Sequence, residues 1–424
     1  MTETAWIGPA LTAARPQVVG ALLRTFRDLD RAEDAFQEAC LRALKNWPQN
    51  GPPRDPIAWL ITVGRNAALD DVRRGAKQEA LPAEEPVSDL DDAEAELAER
   101  LDSSHYRDDV LRLLFICCHP DLPAPQQIAL ALRIVSGLSV KEIARAFLTS
   151  ESAMEQRITR AKRRVAEAGV PFETPGAAER AERLAAVAAM LYLLFNEGYS
   201  ASGGDAHIRV PLCEEAIRLA RLLLRLFPGE PEIMGMTALL LLQHARAPAR
   251  LDREGGIVLL EDQDRRLWNR AMIAEGLALV EKALRHKRAG PYQVQAAIAA
   301  VHAQAARPEE TDWAEIDELY AVLERVQPSP VVTLNRAVAV AKVRGPAAAL
   351  AMIEPLAAPL AGYFHFFGLK GALLMQLGRA EEARAAFSRA MVLAHTPAEA
   401  AHIRLRLERL TGKGERPDGR KAPA

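Results

Sequence analysis

Residues 138–165, LSVKEIARAFLTSESAMEQRITRAKRRV, divide into two amphipathic stretches around a short polar turn. In the first, Val140, Ile143, Ala144 and Phe147 recur at i, i+3, i+4 and i+7, so they share one face of a helix. Ser139 followed by Glu142 forms a capping box that starts that helix. In the second, Met154, Ile158, Ala161 and Val165 make an apolar stripe. Arg157, Arg160 and Arg164 fall on another face, with Gln156 and Arg163 beside them. Two such helices in series read as a helix-turn-helix. Its second helix docks in a major groove by aiming long donor-bearing side chains at phosphates and base edges. The competing reading is an amphipathic helix with an ordinary solvated basic face.

The rest of the chain sets the context for this element. At 424 residues and 49% hydrophobic content the chain can bury large cores and holds two or three domains. Aromatic residues are scarce while Ala, Leu and Arg are abundant, which favours helix over sheet. A net charge of -2 provides no global attraction to polyanions, so nucleic-acid affinity has to come from local patches. The first ten residues have no basic n-region and no long apolar core, as a signal peptide would, and no run of about eighteen uncharged apolar residues suggests a membrane span. The four cysteines, Cys40, Cys117, Cys118 and Cys213, match no zinc spacing; Cys117 and Cys118 read as buried thiols on an apolar helix, and a reducing cytoplasm is expected.

Composition divides the chain into five segments. Residues 1–76 are helical and end in a basic stretch. Residues 77–105 form an acidic, proline-punctuated linker expected to be flexible. Residues 106–169 contain the helix-turn-helix. Residues 177–411 are helical throughout, and residues 412–424 form a polar tail expected to be disordered. Within the long helical segment, Gly345 and Gly378 stand 33 apart, and Ala349 and Ala383 stand 34 apart. Gly371, Gly378, Ala383, Phe387 and Ala390 fall where a tetratricopeptide motif needs small or aromatic packing residues, which predicts an α-solenoid of helical hairpins.

The first segment carries two further amphipathic helices. RAEDAFQEACLRALKNWP exposes Asp34, Gln37, Glu38, Leu41 and Arg42. In PIAWLITVGRNAALDDVRRGAK, Asn66, Asp70, Arg73 and Lys77 line a face away from its apolar stripe, an arrangement able to hydrogen-bond bases and hold phosphates. Alone, each is also compatible with a solvated helix face.

Taken in this order, the segments resemble the extracytoplasmic-function (ECF) branch of the bacterial sigma-70 superfamily, in the subgroup with a tetratricopeptide-like (TPR) C-terminal extension. The resemblance implies an all-α fold: two small sigma helical domains, the second a helix-turn-helix, joined by the acidic linker and followed by the TPR-like solenoid. It implies a polymerase specificity subunit, with core RNA polymerase and promoter DNA, duplex and melted, as partners. By that likeness Asp34, Gln37, Glu38 and Leu41 contact the polymerase. Arg54, Asp55, Trp59, Asn66, Asp70, Arg73 and Arg74 read the minus-ten element, with residues 51–56 as the loop that cups an extruded base. Gln156, Arg157, Arg160, Lys162, Arg163 and Arg164 contact the minus-35 duplex. The melting face is poor in aromatic residues, with Trp59 the main candidate.

The C-terminal domain is expected to modulate activity or to bind a regulatory protein or peptide. The expected setting is the cytoplasm, with no membrane partner, no cofactor and no metal. No HExxH, GxSxG or GxxxxGK[ST] motif occurs, so no enzymatic activity is expected. The cluster Asn196, Glu197, Tyr199 and Asp205, and the acids of LLEDQDRR, read as turn chemistry and a solvated face. A conventional helix-turn-helix regulator with a TPR sensor is the alternative, and the face at Asp34–Leu41 discriminates between the two.

Overall fold

The structure, a computed structural model, describes residues 6–76, 103–119, 121–147, 149–168, 177–199, 210–252, 258–394 and 397–410. The acidic linker up to residue 102, the break at 169–176, Asp205 and the C-terminal tail lie outside them. Every α-helix or 3₁₀ element described is helical, and no β-strand occurs among the described residues, so the fold is all-α. The chain forms two compact units, residues 1–194 and 195–424. The second unit starts inside a helix, eighteen residues beyond the start expected for the C-terminal domain at 177.

In the first unit, α1 (Ile7–Phe26), α2 (Leu29–Asn50) and α3 (Pro56–Ala76) pack on one another. Their seam is Val18, Val19 and Leu22 from α1, Ala32, Phe36, Ala39 and Ala43 from α2, and Leu60, Ile61 and Val63 from α3, all buried. Asp28 starts α2 by accepting a hydrogen bond from the Arg31 amide. The next helices are α4 (Ser103–Cys117), α5 (Ala124–Ile134), α6 (Val140–Ala146) and α7 (Glu151–Glu167).

Sequence reading treats these two groups as separate domains. Instead α4 lies along α1, where Gly20 lets the backbones meet: a Cβ there would come within 2.9 Å of the Asp109 carbonyl oxygen. Val110, Leu111, Leu113 and Leu114 close the interface by burying apolar surface. α8 (Ala177–Tyr199) adds Arg183, buried with its guanidinium 4.3 Å from the Phe115 ring centroid.

The second unit continues through α9 (Val210–Leu226), α10 (Pro231–His244), α11 (Arg270–Leu284), α12 (Pro291–Gln304), α13 (Trp313–Val326), α14 (Pro330–Arg344), α15 (Pro346–Ile353), α16 (Phe364–Gln376), α17 (Ala380–Leu393) and α18 (Pro397–Leu410). Consecutive helices pair as hairpins, among them α13 with α14, α14 with α15 and α16 with α17. The small residues expected at repeat positions sit in the seams: Ala383 and Ala390 are fully buried. At Gly371 a Cβ would meet the Phe387 ring at 2.6 Å, so α16 and α17 touch only because that position has no side chain. One apolar core runs through α14–α17 and another through α12–α14.

Candidate nucleic-acid interface

The helix-turn-helix forms as its local chemistry dictates. The Glu142 carboxylate accepts from the Ser139 amide at 2.7 Å, and the Ser139 hydroxyl accepts from the Glu142 amide at 3.2 Å, completing the capping box of α6. The Ser139 hydroxyl, which also donates to the Glu142 carboxylate at 2.7 Å, and the Ser139 amide hold that carboxyl below its ordinary value. Ser150 caps α7 by accepting from the Ala153 amide. The stripe of α7 is buried as its periodicity requires: Met154, Ile158, Ala161 and Val165 face α5 and α6.

The opposite side of α7 presents Gln156, Arg160, Arg163 and Arg164 to solvent. Arg160, Arg163 and Arg164 converge with Gln126 of α5 on a cavity of about 330 Å³. Arg164 donates to the Asp121 carbonyl, Arg163 pairs with Glu167 on the same exposed helix, and Arg157 lies half-buried over the Phe147 ring. An exposed pair such as Arg163–Glu167 contributes little to stability and exchanges readily for a phosphate.

Lys162 is placed differently from its neighbours. Its Nζ lies 2.6 Å from Asp30 Oδ1 and 2.7 Å from Glu33 Oε2, both on α2. Burial lowers the Lys162 ammonium pKa, but the hydrogen bonds and charges of Asp30 and Glu33 outweigh it and raise the net value. The expected DNA contact is therefore engaged within the chain.

Glu33 is the centre of this network. It is buried, and its other oxygen accepts from Arg15 Nη2 at 2.7 Å. Arg15 also donates to the carbonyl oxygens of Ile134 at 2.9 Å and Arg133 at 3.3 Å, acceptors that the end of α5 leaves without intrahelical partners. Burial pulls the Arg15 guanidinium below its ordinary value, against the attraction of Glu33. One carboxylate thus ties α1, α2, α5 and α7 together. Sequence reading missed Arg15, Asp30 and Glu33. The available signal was an acid at position 33, on the otherwise apolar face formed by Ala32, Phe36 and Ala39.

The other α2 face is open. Asp34, Gln37 and Leu41 are exposed, and Glu38 is half-buried and ion-paired with Arg42 at 3.1 Å. Leu41 and Leu44 retain 55% and 51% of their accessible surface, an apolar pair one turn apart.

In α3, Asn66 is exposed together with Arg65, which the sequence reading did not single out, and Arg54 is exposed just before the helix. Asp55 is occupied as an N-cap, accepting from the Ile57 and Ala58 amides at 2.9 and 3.1 Å. Trp59 does not line an open melting face. It is 6% exposed, with its ring 5.5 Å from that of Trp47, which in turn stacks on Trp6 at 5.7 Å. Trp47 and Trp59, buried together with the half-exposed Trp6 stacked on Trp47, gain more from apolar contact than an indole displayed to solvent. Asp70, Arg73 and Arg74 lie on the last turns of α3, and their side chains are outside the described set, as is Lys77. Among the described residues no group of three His, Cys, Asp or Glu is placed to hold a metal, and no helix is long and apolar enough to cross a membrane.

Comparison with known proteins matches residues 11–78 to sigma-70 region 2 and residues 112–165 to sigma-70 region 4. These intervals hold α1–α3 and the α4–α7 segment that ends in the helix-turn-helix. The chain thus carries two sigma-70 domains, which support its membership of the sigma-70 family. It is therefore an RNA polymerase sigma factor, a transcription initiation factor that binds DNA. It is 28% identical over 153 residues to the ECF RNA polymerase sigma factor EcfG of Rhodopseudomonas palustris (strain TIE-1), covering 36% of this chain and 78% of the relative. It is 70% identical over 413 residues to uncharacterized protein R00370 of Rhizobium meliloti (strain 1021), covering 97% and 98% of the two chains. Residues 183–284 match a family of unknown function, DUF6596. No solved structure matches significantly.

Proposed function

We propose that this sigma factor grips core polymerase through the exposed face of α2, reads the minus-ten element with α3 and reads the minus-35 duplex with α7. The observation that carries the reading is the division of α7 into a fully buried apolar stripe and an arginine face open to solvent. Phosphate contacts from Arg160, Arg163 and Arg164 set register, and base-edge contacts from Gln156 and Arg157 discriminate sequence by about 1–3 kcal/mol for each good bidentate pair. Asn66 and Arg65, exposed on α3, are available to a melted strand. Opening a promoter costs a few kcal/mol for each extruded base, which capture of the displaced strand offsets.

Each reader is small, so neither is selective alone. Polymerase fixes their separation and makes them one bivalent ligand. Lys162 leaves Asp30 and Glu33 when α7 engages DNA, exchanging one set of oxyanions for another. The C-terminal unit, a TPR-like array of hairpins, modulates activity or holds a protein or peptide partner. The setting is the cytoplasm, where polymerase and promoter are found, and the role is not enzymatic.

Runoff transcription with purified core polymerase tests this. Full-length chain supports initiation at a cognate promoter, and the double substitution Gln37→Ala, Leu41→Ala abolishes it by removing polymerase binding. A conventional regulator would keep its DNA binding and need no such face. Absence of initiation by wild-type chain at any promoter selected with holoenzyme refutes the assignment.

A further inference from the structure

Between α10 and α11 the chain carries Glu261–Asn269, EDQDRRLWN, folded as two 3₁₀ turns, Leu260–Asp262 and Arg265–Leu267. Arg265 is 6% exposed, its guanidinium 4.9 Å from the Trp268 ring centroid. It donates to the carbonyl oxygens of His302 and Ala305 at the end of α12 and to the Thr311 hydroxyl at 3.2 Å. Arg246 donates to the Tyr199 hydroxyl at 2.9 Å and to the Gln243 side-chain oxygen. Arg270 donates to the Arg265 carbonyl oxygen at 3.2 Å. Arg265 feels the repulsion of both Arg246 and Arg270, and His302 that of Arg246 and Arg265.

A cation held away from water, as Arg265 is beside the half-buried Arg246 and the exposed Arg270, normally recruits a carboxylate. Here the neighbouring acids are committed elsewhere. Asp264 pairs with Arg266 at 2.8 Å, Glu261 with Lys342 at 2.8 Å and Glu310 with Arg307 at 2.6 Å. Glu309 and Glu310 attract Arg265, but Glu309 lies exposed. Among the described residues, Arg246, Arg265 and Arg270 have no ion-paired carboxylate.

The same cluster holds polar atoms buried without hydrogen-bond partners: Arg265 Nε, Trp268 Nε1, His302 Nδ1 and the Gln263 side-chain oxygen. Trp268 and Gln263 are 2% and 8% exposed. Such atoms are costly unless something fills their valence. Burial and the flanking arginines push the His302 imidazole down to about 4, so at neutral pH it is uncharged and able to donate or accept.

The geometry points to a binding site for a small oxyanion-bearing molecule, a carboxylate or phosphate, held by Arg246, Arg265 and Arg270 against Trp268 in the C-terminal unit. Planar guanidinium forks suit two-oxygen recognition, and the indole and imidazole add direction. Its failure leaves the promoter-reading assignment untouched, since no residue of α1–α7 takes part.

The test titrates intact chain with sodium phosphate and, separately, sodium acetate, at ionic strength matched with sodium chloride. Tryptophan fluorescence and the imidazole resonance of His302 are followed. One oxyanion should saturate the fluorescence change and raise the His302 pKa by neutralising the adjacent arginines; the arm that saturates at lower concentration identifies the group. Arg246→Gln should raise the Kd tenfold or more. Arg270→Gln, at an exposed position, should do the same if the first variant fails to fold. Absence of saturation in both arms, a Kd unchanged in both variants, or a response lost instead in Arg163→Gln of α7 would overturn the assignment.

Discussion

Replacing Glu33 with Gln removes one charge from the junction of α1, α2, α5 and α7 while keeping side-chain volume. Arg15, 8% exposed, then keeps its two backbone acceptors but loses its only carboxylate. Breaking a buried pair from one side typically costs about 3–5 kcal/mol, because the remaining charge stays desolvated. The Lys162 half costs less. Its side chain is 20% exposed and its other partner, Asp30, is 71% exposed, so Lys162→Ala is expected to lose only about 1 kcal/mol. The two losses share one carboxylate and do not add. The assay is amide hydrogen exchange on the intact chain, read at α1, α2 and α5, because a single unfolding midpoint is ill-defined for a two-unit protein. Glu33→Gln should accelerate exchange there roughly a hundredfold or more, and Lys162→Ala about fivefold. Wild-type protection in Glu33→Gln, or a larger effect from Lys162→Ala, would refute the placement of Glu33 as the buried node.

Three more outcomes follow from the second unit and the thiols. Gly371→Val drives a branched side chain into the Phe387 ring, 2.6 Å from where its Cβ would stand, and should destabilise the α16–α17 hairpin by about 1–3 kcal/mol or more, measured by local exchange. Burial pushes the Cys40 thiol up to about 11 and Cys213 up to about 12, and also raises Cys117 and Cys118, so in native protein at pH 8 all four should alkylate far more slowly than in urea. His302 has a folded-state pKa of about 4 against an ordinary 6.5, so the unfolded chain binds more protons between those values. Stability of the second unit is therefore full above pH 6.5 and falls as pH drops towards 4, by roughly 3 kcal/mol at most, and His302→Asn should flatten that dependence.

Much of the site was legible because it rests on local rules. The Ser139–Glu142 capping box, the stripe of α7 and the placing of Gly371 and Phe387 at packing positions follow from spacing alone, though not that the two meet. The exposed face of α2 follows from its period. Two features were not legible because their partners are remote in the chain. Trp59 reads as a melting-face aromatic until Trp47 is brought beside it, when burial of the two rings takes precedence. Lys162 reads as one more cation of α7 until Asp30 and Glu33, about 130 residues away in sequence, claim it. The buried Arg265 was hidden for a related reason: LLEDQDRR has no periodicity, so its inward-facing residues cannot be told from its solvated ones.

The most direct measurement compares affinity for a cognate promoter fragment by free chain and by chain bound to core polymerase, across a salt series. Two small readers spaced by the larger enzyme should give the free chain only weak, salt-sensitive binding and the holoenzyme tight, sequence-specific binding. Arg163→Gln should reduce the salt slope by about one phosphate contact. Nanomolar sequence-specific binding by the free chain, unchanged when polymerase is added, would contradict it.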